Sequence, residues 1–145
     1  MVVDFSTKFY ISNIVLERVV EMVKVEKKIK VYKDTRVFEA NSLFDTGSRG
    51  SYFSKQFAEK IGYESLRESR RIPLAVRGKY AELIGWTVVD LEVDGYILPE
   101  KEAIGVIDDL LVDLIVGLNI MEKYGIYIEA DEIKFKYIPP TSMII

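Results

Sequence analysis

The sequence predicts a mostly-β domain with one or two short helices, and three observations carry that prediction. Apolar and polar residues alternate with period two through most of the chain, as in "KIKVYK" and "WTVVDLEV". Turn pairs such as Asp34-Thr35 and Asp94-Gly95 separate the alternating runs. From Lys28 onward, the stretches after Ser51 and after Gly117 abandon alternation for helical spacing.

The elements follow in order. Ile11, Ile14, Val15, Val19, Met22 and Val23 suit a helix beginning near Ser12, while the valine content also suits a strand. Residues 1–27 are therefore read as an N-terminal extension, either helix or strand. Lys28 to Lys33 and Arg36 to Phe44 read as two strands joined at Asp34-Thr35. A helix is expected from an N-cap at Ser51 to a C′ glycine at Gly62, with Phe53, Phe57 and Ile61 at four-residue spacing. Arg71 to Trp86 reads as a hairpin with the polar tip Arg77-Gly78-Lys79. The strand after Trp86 turns at Asp94-Gly95 and returns through "YILPEKEAIGVI". The apolar run Leu114 to Val116 leads through Gly117 into a short helix that Gly125 ends, and Ile126 to Ile138 reads as a last hairpin before a tail at 139–145.

Composition narrows the chemistry. The 145 residues are 49% hydrophobic and 30% charged, which suits one globular domain with a real core over residues 28–138. The net charge of −3 offers no basic excess for nucleic acid. No apolar run approaches the length of a bilayer span, and the N-terminus has no basic segment leading into an apolar one, so a cytoplasmic protein is expected. The chain contains no Cys and no His. That excludes thiol nucleophiles, thiolate and imidazole metal sites, and the Ser-His-Asp arrangement. Carboxylates remain the natural acid–base groups. Asp108, Asp109 and Asp113 are close enough in sequence to offer oxygen ligands to Mg²⁺ or Ca²⁺, but without glycine-spaced loop chemistry they read as a solvated turn and strand edge.

One triplet stands out: Asp45-Thr46-Gly47, in "SLFDTGSRGSYFSKQF". Asp-x-Gly is ordinary turn material. Here, however, the apolar pair Leu43-Phe44 delivers the carboxylate from a buried strand into a loop. Gly47 lets backbone approach the carboxylate, and Thr46 and Ser48 add hydroxyls beside it. About seventy residues on, "LIVG" runs into a helix.

In "LFDTGS", "RIPLAVRGKYAELIG" and "LIVGLNIMEKYG" the chain resembles the retropepsins, the single-domain aspartic proteases of retroviral type. The resemblance spans roughly Lys28 to Tyr137 and is strongest at the first and last of these segments. It implies a closed, barrel-like β domain with a flap hairpin, and an aspartic endopeptidase needing no cofactor or metal. The mechanism takes two carboxylates, one drawing a proton from water and the other donating to the peptide carbonyl. With a single D-T-G, the resemblance implies a homodimer in which each copy supplies one Asp45. It further implies that the Thr46 hydroxyl bonds across the dimer to the partner's loop. The Gly47 amide would lie within reach of the carboxylates, Ser48 would bond the outer carboxylate oxygen, and Gly117 would give a close crossing behind Asp45. Arg77, Gly78, Lys79 and Tyr80 would meet polypeptide substrate at the flap, whose tip holds only one glycine. Asn119 matches a family position that takes Asp or Asn. The alternative is a non-catalytic dimerisation or peptide-binding module of the same fold.

Overall fold

The structure, a computed structural model, describes residues 23–73 and 80–136. The expectations for a helix near Ser12, the hairpin tip 77–79 and the tail 139–145 fall outside those residues. Ten strands and two helices are described: β1 Lys24–Lys33, β2 Arg36–Asp45, β3 Tyr52–Ser54, α1 Lys55–Ile61, β4 Glu64–Pro73, β5 Tyr80–Val93, β6 Tyr96–Ile97, β7 Glu102–Ile107, β8 Leu114–Val116, α2 Leu118–Tyr124, β9 Ile126–Glu129 and β10 Glu132–Phe135.

Six of the strands pair in the order β1-β2-β8-β3-β7-β5, and β1 pairs again with β5 through Lys30↔Glu92 to Tyr32↔Asp90, which closes a barrel. β2 lies parallel to β8, and β3 parallel to β7, so residues distant in sequence sit side by side at the centre. β4 extends the sheet beyond β5, and β9 with β10 forms a separate hairpin. The core fills the barrel with Phe44, Phe53, Leu91, Ile104, Val106 and Leu114, each fully buried or nearly so. Each contributes roughly 1.5–3 kcal/mol by leaving water. Phe57 of α1 joins the helix to this core, stacked on Phe53 at 5.2 Å and edge-on to Phe38 at 6.3 Å.

Several boundaries match the pattern reading and several depart from it; β1 begins at Lys24, inside the stretch read as an N-terminal extension, and not at Lys28. Asp34 adopts a φ of 56° between β1 and β2, and Asp94 and Gly95 adopt 52° and 85° after β5, as tight turns between antiparallel strands require. The α1 N-cap is Ser54, whose hydroxyl accepts from Phe57 N at 3.1 Å, not Ser51. Tyr52–Ser54 is drawn into the barrel as β3 instead of opening the helix. The C-cap Gly62 holds as expected, with φ 91°. β4 starts at Glu64, well before Arg71, and slips its register against β5 between Ser65 and Arg70. The return after Asp94-Gly95 is broken into β6 and β7.

A buried polar cluster fastens α2 to β7. Glu102 is buried, and Tyr124 donates its hydroxyl to the carboxylate. Lys123 Nζ reaches Glu102 at 2.9 Å and Glu100 at 2.8 Å, and these two bonds raise the lysine's pKa. Burial first, and the Glu102 bond second, push the Tyr124 phenol from 10.0 up to about 12. A phenol raised on folding contributes stability that is complete below pH 10 and is lost as pH rises through about 12. The denaturation midpoint of the wild type should therefore fall more steeply between those pH values than that of Tyr124→Phe; parallel curves would refute the assignment.

Candidate active site

The loop after β2 is built around Asp45. Asp45 ends β2, directly opposite Lys24 in the β1 ladder, and on the face of β2 away from the buried Phe44. The carboxylate is half-buried, and its Oδ1 accepts from Gly47 N at 2.8 Å. Oδ2 accepts no hydrogen bond among the described residues.

The two neighbouring hydroxyls are engaged within the chain. Thr46 Oγ1 accepts from Val23 N at 2.9 Å and donates to Val23 O at 3.3 Å, while Thr46 N donates to the same carbonyl at 3.0 Å. Ser48 Oγ donates to Gly50 O at 2.8 Å and not to the carboxylate. The backbone of β1's leading end therefore takes the bonds expected of a partner's loop, and a local turn takes the bond expected of Asp45.

Behind the loop, the start of α2 is buckled onto it. Leu118 N donates to Ser48 O at 2.8 Å and Asn119 N donates to Arg49 O at 2.9 Å, so amides that a helix N-terminus leaves unpaired are satisfied by loop carbonyls. Ser51, read from sequence as a helix cap, is instead a buried strut: its hydroxyl accepts from Gly117 N at 2.9 Å and donates to Asn119 Oδ1 at 2.8 Å. Gly117 sits so tightly that a Cβ there would overlap the Gly50 carbonyl oxygen and lie 2.6 Å from Ser48 O. Both obstacles are backbone, so neither can swing aside.

No family profile matches the sequence, and no curated protein sequence matches it. Solved structures do match the architecture. The retroviral protease-like domain of Ddi1 from Leishmania major aligns over 79% of this chain and 90% of its own, at TM-score 0.55 and 20% identity. The EIAV protease complexed with the inhibitor HBY-793 aligns over 71% of this chain and 89% of its own, at TM-score 0.50 and 20% identity. The fold is retropepsin-like.

Within this retropepsin-like fold, the predicted positions Asp45, Thr46, Gly47, Ser48 and Gly117 lie in one connected unit. Of the expected flap residues only Tyr80 is described; it opens β5, 53% exposed, with the Arg71 guanidinium 4.5 Å from its ring centroid. The sequence reading missed Val23, because its contacts are through backbone atoms, and the strut role of Ser51, because a serine there equally suits a cap. Among the described residues no group of acidic side chains could hold a metal. The Asp113 carboxylate instead accepts from Asn41 N at 2.9 Å. No helix among the described residues is long and apolar enough to cross a membrane.

Gly117→Ala should cost about 3 kcal/mol or prevent folding, because the added methyl meets backbone on two sides. Ser51→Ala, which leaves the Gly117 amide without its partner, should cost roughly 1–3 kcal/mol. Chemical denaturation of both variants measures this, and a neutral Gly117→Ala would contradict the crossing.

Proposed function

We propose that the protein is a homodimeric aspartic endopeptidase. The observation carrying this reading is Asp45 itself: a half-buried carboxylate on the sheet face away from the core, held by Gly47 N through one oxygen while the other accepts nothing among the described residues. The bond to Gly47 N is one that a structural Asx-turn also makes, so the acid–base reading leans on the second oxygen, which accepts nothing among the described residues. The neighbours of the same fold are a protease and a retroviral protease-like domain, which agrees.

In the proposed dimer two Asp45 carboxylates face one another and share one proton. The ionised one takes a proton from a bound water as the water oxygen attacks the peptide carbonyl carbon. The protonated one gives its proton to the carbonyl oxygen, forming a tetrahedral diol. Collapse of the diol expels the amine, which leaves with a proton returned from the dyad. Extended substrate would add as a strand beneath the flap hairpin.

A second reading, a non-catalytic peptide-binding module, draws support from one observation. Thr46 has its amide and hydroxyl engaged by Val23 of its own chain. One experiment separates the two. Wild type and Asp45→Asn are incubated with an unfolded protein over about pH 3 to 8, a range spanning perturbed carboxyl groups, at matched dimer fraction. The endopeptidase reading expects cleavage by wild type only, with the variant down by at least about a thousandfold, as for loss of an essential acid–base group. A folded wild-type dimer that cuts nothing would move the binding module ahead.

A further inference from the structure

The face that carries Asp45 holds a continuous cross-strand row. Asp45 and Leu43 stand two residues apart in a regular ladder and so share one side of β2. Leu43 pairs with Ile115, Ile115 with Tyr52, and Tyr52 with Gly105. All four are half-buried, on the side opposite the core residues Phe44, Phe53, Val106 and Leu114.

The Tyr52 ring lies across the backbone of two glycines. A Cβ on Gly105 would stand 3.1 Å from Tyr52 Cδ1 and 2.7 Å from Leu83 Cδ1. A Cβ on Gly50 would stand 2.5 Å from the phenol oxygen and 2.8 Å from Cζ. The ring therefore reaches from β7 back toward the Asp45 loop, and with Leu83 it closes the hollow that Gly105 would otherwise leave open. Its hydroxyl has no hydrogen-bond partner among the described residues, and burial raises its pKa.

We infer that Tyr52 is the specificity-determining residue of this site, making the floor beside Asp45 shallow, so that it accepts polypeptide with a small side chain there (Gly, Ala, Ser or Val) and rejects Leu, Met and Phe. The inference rests on Asp45 being catalytic. A substrate side chain laid along this row finds a ring face and Leu83 beneath it, not glycine backbone, and a bulky chain has no depth to enter. Without the ring, the strip over Gly105 would be left open beside Leu83, with Ile115 on the next strand of the row.

The test maps cleavage sites in a denatured protein and a peptide library by mass spectrometry, for wild type, Tyr52→Ala and Tyr52→Phe. Wild type should favour small residues at one position near the scissile bond. Tyr52→Ala should raise kcat/KM for Leu or Phe at that position relative to Ala by about tenfold or more, the scale at which a hydrophobic pocket discriminates by size. Tyr52→Phe should keep the wild-type preference, since ring volume sets it. If Tyr52→Ala fails to fold, Tyr52→Val, β-branched and suited to a strand, supplies the enlargement. An unchanged preference in a cutting variant, or a wild type that favours bulky residues throughout, overturns the inference while leaving the protease reading intact. A folded, dimeric wild type that cuts nothing overturns both.

Discussion

Everything at the candidate site depends on one close crossing, where Gly117 passes behind the loop that follows β2. Two loop carbonyls, from Ser48 and Arg49, receive the first amides after Gly117, and the Ser51 hydroxyl holds the glycine's own amide. These bonds satisfy groups that would otherwise be buried and unpaired, each a loss of roughly 1–3 kcal/mol. The crossing works only without a Cβ, since the space it would fill is occupied by carbonyl oxygens. The loop is thereby fixed from behind by a hydrogen-bond network of backbone groups and the Ser51 hydroxyl.

The barrel makes that crossing possible. β2 and β8 run parallel, so Ser42, Leu43 and Phe44 advance beside Leu114, Ile115 and Val116, and both strands leave the sheet at the same end. One exits into Asp45, the other into Gly117. The inward residues Phe44, Leu114 and Val116 lock the register through burial, because a slip of one residue would turn them outward and carry Asp45 into the core. The apolar core thus sets which way the carboxylate faces.

That part of the structure was legible in the sequence. Leu43-Phe44-Asp45 shows its alternation, "LIVG" shows a buried strand ending at a glycine, and Gly62 and Gly125 mark helix ends by the conformations they adopt. The start of α1 was not legible. Phe53 lies four residues before Phe57, a spacing that helical periodicity and an intervening strand-to-helix junction satisfy equally, and Ser51 and Ser54 are equally good caps. The front of β4 was hidden for a different reason: "ESLRES" is mostly exposed on an outer strand and carries no burial signal. Charged residues on such a strand also discourage unwanted pairing there. Tyr52 was hidden too, since only the pairing of β3 with β7 and β8 shows that it faces the Asp45 side.

The engagement of Thr46 by Val23 gives the single chain a complete set of hydrogen bonds where the resemblance expects a partner. In one chain the Thr46 hydroxyl both accepts and donates, its amide is paired, and the Ser48 hydroxyl is paired, whereas Asp45 Oδ2 alone is left without a donor among the described residues. For two such loops to meet through Thr46, Val23 must first give up three hydrogen bonds. Each exchange is close to neutral in net terms, about 1 kcal/mol per bond, so the balance falls to whatever else the second copy brings. Among the described residues no group partners the second carboxylate oxygen. In the proposed dimer a second Asp45 sharing one proton would fill that role, so completion of the carboxylate pair, and not the threonine contacts, is the local feature that would favour such a dimer.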